Sequence, residues 1–436
     1  MDAVADAWDE AAFVSLLGKL IGEARHLQNG ASCVPTEDRA VAHVLEALSP
    51  HTKPNGGPLL VRHISYVEGR GNILVELPGE SPECGCSLVG MHLDVVPADP
   101  QTWSFDPFSL TRGDDPDLLR GRGVTDCLGH VALVTCVLIA LAKAEIRLKR
   151  TLRAVFIANE ENSRILGIGV DELLKRGELD ALRSGPLLWV DVADVKPCIG
   201  TGGIAAWTLR CSGKLGHSGL PQNAINSLEL AMDATTELQR RFYTRYPPHE
   251  KEAVYNFACG STMKPTQAFN TGNSVNQVPG EVIIAGDIRV TPFYDLHAVM
   301  SSIEADVADL NANIGSLGVH RGKWSGYTLA GQGAVRGTLE LTWGEGVSRG
   351  VACDLASPGY LALKEAFVAE TGACEPMAIT GSLPCIRDLQ DAGFDVQTLG
   401  FGLLRTYHAV DELGRLQDFR TGHRVLCKVL DRLLCA

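Results

Sequence analysis

Apolar runs that end in acidic or histidine side chains constrain the fold of this chain more than any other feature of its sequence. The clearest run is Ser87–Met91, which leads into His92-Leu-Asp94. Residues two positions apart lie on one face of a strand, so the imidazole and the carboxylate would leave the strand together. A histidine that binds a metal usually has its second ring nitrogen held by an acceptor, and a nearby aspartate can be that acceptor. The pair alone is weak evidence, because most such pairs on a protein surface have no function.

Strand-like and helical patterns alternate along the first two hundred residues. The apolar runs predict strands near 60–64, 72–77, 86–91, 152–158 and 186–191. The helical spacing predicts helices near 11–28, 38–48, 130–144 and 170–176. Pro35-Thr-Glu-Asp38 is a candidate N-terminal signal for the second of these helices. Alternation of this kind predicts an α/β fold, with a mostly parallel sheet covered by helices on both faces.

The pattern changes between about 200 and 350. Half-exposed antiparallel strands and amphipathic helices are predicted there at 202–211, 223–241, 280–290 and 296–312. Strand and helix patterns return at 360–370, 394–401 and 413–434. We therefore expect a smaller α+β domain, residues 200–350, inserted into a domain formed by residues 1–199 and 351–436.

Length, charge and cysteine content limit the class of protein. A chain of 436 residues favours two domains, and a net charge of −13 without a basic stripe argues against nucleic acid as a partner. The acidic start, Met1–Glu10, lacks the cationic and apolar parts of a secretory signal, and no apolar run is long enough to cross a membrane. Thirteen scattered cysteines favour a reducing compartment over a disulfide framework. The expected location is the cytoplasm.

Asp126 ends the glycine-rich segment Gly121-Arg-Gly-Val-Thr-Asp, ahead of the helix predicted near His130. Glycine allows a tight turn there, so the carboxylate can point back over the strand ends. Capping the helix that follows is the alternative role for Asp126.

Glu160 and Glu161 follow the apolar run Leu152–Ala158 and one intervening asparagine. Two adjacent carboxylates at the end of a buried strand repel each other, and burial raises the cost of charging both. A cation resolves such crowding, and the two can divide the work between metal binding and general base catalysis. A solvated strand end is the alternative.

Asp191 ends a further apolar run, and His408 lies beyond the strand predicted at 394–401. Open α/β sheets build their sites at the carboxyl ends of strands. Two histidines with several carboxylates and no cysteine indicate oxygen-rich coordination of two divalent ions, zinc or cobalt. Such a pair suits hydrolysis by an activated water.

The order of these motifs resembles that of the dizinc amidohydrolase family, which includes acetylornithine deacetylase, succinyl-diaminopimelate desuccinylase, aminoacylase-1 and glutamate carboxypeptidases. The likeness spans nearly the whole chain, including Trp103-x-x-x-Pro107-Phe108. Within the family, Thr125–His130, Ala158–Asn162 and Gly381–Arg387 are most similar to the acetylornithine deacetylases of plants.

The resemblance implies two metal ions, a general base and a residue that holds a ligand. The implied ligands are His92, Asp126 and Asp191 for one ion, and Asp126, Glu161 and His408 for the other. Glu160 would be the base that takes a proton from water and returns it to the leaving amine. Asp94 would hold the ring of His92.

The resemblance also assigns residues of the inserted domain, which would act as a lid and form a homodimer. His217, in Gly213-Lys-Leu-Gly-His-Ser-Gly219, would stabilise the oxyanion in the partner subunit's site. By itself His217 would be interpreted as a loop histidine. Asn276 and Arg289 match positions that bind the substrate carboxylate, for which a guanidinium is better suited than an ammonium group.

Two departures from the family pattern affect these assignments. Cys127-Leu128-Gly129 stands where Met-Lys-Gly is usual, so the common lysine is absent. Asp191 stands where many relatives have a glutamate before a proline, and Asp194 lies close enough to be an alternative ligand.

The activity implied is removal of the acetyl group from N2-acetyl-L-ornithine, which releases ornithine for arginine synthesis. A general N-acyl-amino-acid hydrolase or a dipeptidase would use the same chemistry, and no pocket residue that we can assign selects among these small-molecule substrates. An inactive dimeric binding protein is the alternative from another class. Such a protein would lack the base or a ligand, and Glu160 and the five ligand positions are all present.

Overall fold

The computed structural model of the chain describes residues 1–113, 115–270, 272, 274–329 and 335–435. These residues form two compact units. The first contains residues 1–199, 353–377 and 384–436, and the second contains residues 200–352 and 378–383. The catalytic and lid roles expected of the two parts remain predictions.

The first unit is built around a sheet whose central strands are parallel. In order across the sheet, the strands are Leu60–Ser65, Gly71–Leu77, Arg150–Ile157, Ser81–His92, Leu187–Val192, Val396–Gly400 and Lys196–Thr201, the last of which leads out of the unit. Neighbours are parallel from Arg150–Ile157 to Val396–Gly400 and antiparallel on either side. The predicted α/β fold with a mostly parallel sheet is confirmed, and its outer strands are antiparallel.

Helices pack against this sheet and complete the core of the first unit. They are Asp2–Ala5, Glu10–Glu23, Asp38–Leu48, Leu128–Lys143, Val170–Lys175, Pro358–Thr371, Ile386–Asp391 and Leu416–Leu434. Short strands at Thr111–Arg112, Leu118–Arg120 and Leu413–Arg415 form a separate sheet. Helix Leu128–Lys143 is buried along nearly its whole length, as its almost uninterrupted apolar sequence dictates. None of the helices in the described ranges combines the length and apolar character of a membrane span.

The helix start predicted at Pro35–Asp38 is confirmed. Helix Asp38–Leu48 begins there, and the side chain of Glu37 makes no capping hydrogen bond. Glu37 instead forms a buried ion pair with Arg70, which is distant in sequence. A side chain already held by a guanidinium is not available to the first turn of the helix.

The second unit has its own antiparallel sheet and its own core. The strands run in the order Thr262–Asn270, Glu281–Val290, Gly203–Ser212 and Thr338–Trp343, and the helices are Ser227–Arg245, Glu250–Val254 and Leu296–Ala312. Short strands lie at Gly216–His217, Gln277–Val278, Thr328–Leu329, Val335–Arg336 and Val351–Ala352, and Met377–Ile379 leads into this unit. Strand Gly203–Ser212 buries alternate residues, including Trp207 and Leu209, as its sequence predicts.

Asp233 is a buried carboxylate of the second unit, held by donors from a distant segment. Arg321 donates to it through Nε at 3.0 Å and through a terminal nitrogen at 2.7 Å, and the hydroxyl of Tyr327 donates at 2.5 Å. Burial raises the pKa of Asp233, but the bonds from Arg321 and Tyr327 outweigh it and hold the pKa below its ordinary value. The fully buried Tyr327 therefore ties residues near the end of the unit to helix Ser227–Arg245.

We expect Tyr327→Phe to lower the free energy of unfolding of the second unit by about 1–3 kcal/mol, because a buried carboxylate loses a donor. Tyr243→Phe is the matched control, since Tyr243 is exposed and its hydroxyl makes only longer contacts, at 3.3 Å, with Met263. That control should change stability by less than about 0.5 kcal/mol. Urea denaturation followed by hydrogen exchange of the unit measures both, and equal effects would contradict this account.

Candidate metal centre

Asp126 is the carboxylate around which the site of the first unit is arranged. It is 5% exposed, and its Oδ1 lies 2.9 Å from Nε2 of His92. Its Oδ2 lies 3.0 Å from Nε2 of His408. The helix that follows begins at Leu128 without a side-chain cap, so Asp126 does not take the alternative role of capping residue. Each oxygen of one carboxylate thus faces a different histidine.

The first group of donor atoms is Asp126, His92 and Asp191. Strand Ser81–His92 delivers His92, and strand Leu187–Val192 delivers Asp191, whose Oδ1 lies 3.3 Å from His92 Nε2. His92 Nδ1 donates to the carbonyl oxygen of Asp94 at 2.9 Å. The lone pair of Nε2 is therefore available to bind a metal. Gly90 makes the strand end possible: its φ is +96°, and a Cβ there would lie 2.6 Å from the ring of Trp189.

The second group is Asp126, His408 and Glu161. Nε2 of His408 lies 3.2 Å from Oε2 of Glu161 and has the Asp126 contact already described. His408 has a φ of +54°, and its ring stacks on that of Tyr407 at 6.2 Å. The carboxylate of Glu161 is buried, so the alternative of a solvated strand end does not apply to it.

The structure separates Asp191 from the alternative ligand Asp194. Asp191 faces His92 and accepts a hydrogen bond from Trp189 Nε1 at 3.1 Å. Asp194 instead accepts from the backbone N–H of Leu404 at 3.0 Å. We therefore retain Asp191 among the candidate ligands.

Asp94 has a larger structural role than holding the ring of His92. Its Oδ1 lies 3.4 Å from His92 Nδ1 but also accepts the backbone N–H of Glu160 at 3.1 Å. Its Oδ2 accepts the N–H of Glu161 at 3.0 Å and the amide of Asn29 at 2.8 Å. This fully buried carboxylate therefore fixes the backbone that presents the two glutamates.

Glu412 is a functional position that the sequence did not reveal. Its buried carboxylate accepts the backbone N–H groups of Gly123, Thr125 and Asp126 at 2.9, 2.9 and 3.0 Å. Arg122 donates to the same carboxylate at 2.7 Å. Glu412 thereby holds the loop that carries Asp126. The only sequence signal for Glu412 was its nearness to His408. Nothing near it in the sequence indicated that it would bind Arg122, almost three hundred residues away.

Cys127 is a second residue that the motif did not predict in this site. Donor atoms of His92, Cys127 and Asp191 lie within 4.8 Å of one another, as do those of His92, Asp126 and Glu161. Burial raises the pKa of the Cys127 thiol well above its ordinary value. The oxygen and nitrogen donors are the primary candidate ligands, because they form both of the groups that share Asp126.

The buried carboxylates require compensating charge. Burial and the charge of Asp191 raise the pKa of Glu160 well above its ordinary value, and burial and the charge of Asp126 raise that of Glu161 to about 7. The bonds to Asp126 and Glu161 raise the pKa of His408 to about 11. Oε1 of Glu161 and Oδ1 of Asp191 are buried without a hydrogen-bond partner. Unpartnered carboxylate oxygens beside imidazole nitrogens fit divalent metal ions, which accept both donor types.

The remaining predicted residues lie in the second unit. Strand Gly216–His217 pairs with Gln277–Val278, and the exposed ring of His217 accepts the N–H of Gly219 at 2.9 Å. Asn276 is also exposed, and its backbone carbonyl accepts the N–H of Ser218 at 2.9 Å. Arg289 is half-buried and donates to Asp287 at 3.0 Å. His217 and Asn276 therefore lie close together, where these two short strands pair. Arg289 lies on strand Glu281–Val290.

Comparison with known proteins identifies similar chains of nearly the same length. An acetylornithine deacetylase of Arabidopsis thaliana is 51% identical over 427 residues, covering 98% of this chain and 96% of that protein. An acetylornithine deacetylase of Dictyostelium discoideum is 47% identical over 438 residues, covering 98% and 97%. The solved structure of a dipeptidase of Saccharomyces cerevisiae has a similar fold, with a TM-score of 0.68, 17% identity and coverage of 99% and 97%.

The model of peptidase family M20/M25/M40 matches residues 88–432. The matched range contains every residue of the two donor groups, from His92 to His408. With the near full-length relatives, this match is sufficient to assign the family. This chain belongs to peptidase family M20/M25/M40.

Proposed function

We propose that this chain is a metal-dependent amide hydrolase that converts N2-acetyl-L-ornithine and water to L-ornithine and acetate. The observation that carries the substrate is the 51% and 47% identity to two acetylornithine deacetylases over 98% of the chain. The chemistry is supported by the buried donor groups that share Asp126. The reaction would supply ornithine for arginine synthesis.

The proposed ligands are His92, Asp126 and Asp191 for one ion, and Asp126, Glu161 and His408 for the other. Zinc fits these donors, and cobalt is the second candidate. Divalent ions held there supply Lewis acidity, which polarises the amide carbonyl and lowers the pKa of the attacking water. The protein contributes the geometry, because Glu412 and Asp94 fix the backbone on which Asp126 and Glu161 lie.

Glu160 is the proposed general base. Its backbone N–H is bound to Asp94, so its side chain extends from a fixed point next to the ligand Glu161. A general base must take up a proton in one step and release it in the next, and a carboxylate beside the metal ligands can do both. Glu160 takes the proton of the attacking water and delivers it to the nitrogen of the leaving ornithine.

Residues 200–350 are proposed to form a lid and dimerisation domain, and residues 1–199 and 351–436 the catalytic domain. His217 would donate a hydrogen bond to the developing oxyanion in the site of the partner subunit. Asn276 and Arg289 would bind the substrate carboxylate, because amide and guanidinium groups donate in a plane that matches it. We further propose that the enzyme is a cytoplasmic homodimer.

The proposed substrate is tested with a panel of N-acyl amino acids, dipeptides and carboxyl-amidated N2-acetyl-L-ornithine, at saturating zinc or cobalt. We expect the highest kcat/KM for N2-acetyl-L-ornithine and a marked loss for its amidated form. If a dipeptide or another acyl-amino acid had a higher kcat/KM, that compound and not N2-acetyl-L-ornithine would be the preferred substrate. Equal hydrolysis of the free and amidated forms would remove Asn276 and Arg289 from carboxylate recognition.

Glu160→Gln and Glu161→Gln form a matched pair that separates base from ligand. Glu160→Gln should lower kcat by about 10²–10⁴-fold, because the proton acceptor is lost, while metal content stays near two ions per chain. Glu161→Gln should lower metal content measured by elemental analysis after dialysis. Near-normal kcat in Glu160→Gln would exclude Glu160 as the base, and absence of bound metal in the wild type would exclude the hydrolase.

Complementation between subunits tests the proposed dimeric site. His217→Ala and Glu160→Ala homodimers should each be almost inactive, since one lacks the oxyanion donor and the other lacks the base. Random exchange gives about half heterodimers, each with one complete site of two, so about a quarter of wild-type activity should return. Exchange is verified with differently tagged subunits. If activity stays at the homodimer level after verified exchange, His217 does not act across the dimer.

A further inference from the structure

We propose that Arg70 is a positioning residue for the general base. Through Asn159, it holds the backbone of Glu160 and Glu161 against the carboxylate of Asp94. The inference rests on the proposed function, in which Glu160 is the base. It adds Arg70 and Asn29, which lie outside the motifs that pointed to the site.

Asn159 is the turning point of the segment that ends in the two glutamates. Its φ is +63°, a left-handed conformation that asparagine and glycine adopt more readily than other residues, and its side chain is buried. Its Nδ2 donates to the carbonyl of Ile165 at 2.7 Å. Its Oδ1 accepts from Arg70 at 3.1 Å and from Asn29 at 2.9 Å. The side chain is thus held on both sides, and the backbone direction after it is fixed.

Asn29 links Asn159 to Asp94. Its Nδ2 donates to Oδ1 of Asn159 at 2.9 Å and to Oδ2 of Asp94 at 2.8 Å. The amide cannot be reversed without placing its oxygen against two other oxygens, so its orientation is determined. Asp94 in turn accepts the backbone N–H groups of Glu160 and Glu161. A continuous series of hydrogen bonds therefore runs from Arg70 to the base.

Arg70 is itself immobilised by Glu37. Their side chains are 4% and 0% exposed, and the guanidinium donates to both oxygens of Glu37, through Nε and through a terminal nitrogen at 2.7 Å. The same terminal nitrogen is the one that reaches Asn159. A buried ion pair often contributes little net stability, because desolvation offsets the attraction. Fixing the position of the guanidinium explains the pair better than stability does.

Asn72, two residues after Arg70, binds the backbone just beyond the end of strand Arg150–Ile157. Asn72 is fully buried, accepts the N–H of Ala158 at 2.9 Å, and donates to the carbonyl of Ile168 at 2.9 Å. The backbone before Asn159 is therefore anchored to Asn72, and the backbone after it is anchored to Asp94. Because a displacement of about 1 Å can cost roughly 10²-fold in rate, such anchoring matters for a base that must meet a water molecule.

The test compares Arg70→Lys, Asn159→Gly and the double variant at saturating metal. Lysine keeps the charge opposite Glu37 but lacks the planar fork, and glycine tolerates the left-handed backbone while removing the amide. Each single change should lower kcat by roughly 10–100-fold, with KM and metal content unchanged. If Arg70 acts through Asn159, the double variant should be no slower than the slower single variant.

Arg153→Lys is the matched control. Arg153 pairs with Glu76 at 2.8–2.9 Å in the same unit, outside this series of bonds, so its kcat should stay within about twofold of wild type. The proposal would be overturned if the kcat losses of the two single variants multiplied in the double variant. It would also be overturned if Asn159→Gly left kcat unchanged. A purely structural role would lower the melting temperature and leave kcat of the folded fraction unchanged.

Hydrogen exchange separates this proposal from the proposed function. The amides of Glu160 and Glu161 should exchange faster in Arg70→Lys and in Asn159→Gly than in the wild type or in Arg153→Lys. Unchanged protection of these amides would overturn the positioning role, whatever the activity. If the wild-type protein hydrolyses no amide, the proposed function fails, and the exchange rates still decide whether Arg70 positions this segment.

Discussion

The crowding of acidic side chains at one end of a sheet is the constraint on which the rest of the first unit depends. The buried carboxylates of Asp126, Asp191 and Glu161 lie close to the buried imidazole of His92 or the more exposed imidazole of His408. Carboxylates buried together repel one another and resist ionisation, so the arrangement persists only where cations compensate it. The strands that end there, the loop before helix Leu128–Lys143 and the turn at His408 all deliver donors to this small volume.

Two further carboxylates hold the donors in place. Glu412 accepts three backbone N–H groups from the loop that carries Asp126, and Asp94 accepts two from the segment that carries Glu160 and Glu161. Charged acceptors bind N–H groups more strongly than neutral ones do. Loops that would otherwise be the least ordered parts of the site are therefore fixed by anchors from distant parts of the chain.

The sequence predicted the central strands and the acidic residues at their ends, because both depend on local patterns. An apolar run followed by an acidic residue is visible within ten positions, as at Glu160 and Asp191. The anchors were not predictable in this way, because Glu412 and Glu37 find their partners only after the chain folds. Pro35–Asp38 shows the same limit, since the helix start was visible locally and the buried ion pair of Glu37 with Arg70 was not.

Saturation with hydrogen bonds from backbone, amide and guanidinium donors sets Glu412 and Asp94 apart from Asp191 and Glu161, and only the structure shows it. Both oxygens of Glu412 and both oxygens of Asp94 accept from protein donors, which leaves little capacity for a cation. Asp191 and Glu161 each keep a buried oxygen without any donor. Leaving a buried acceptor unpaired costs about 1–3 kcal/mol, and more for a charged group, so such oxygens mark the side where a cation belongs. By this criterion Asp94 is an anchor, although its His-x-Asp motif alone would equally allow a ligand.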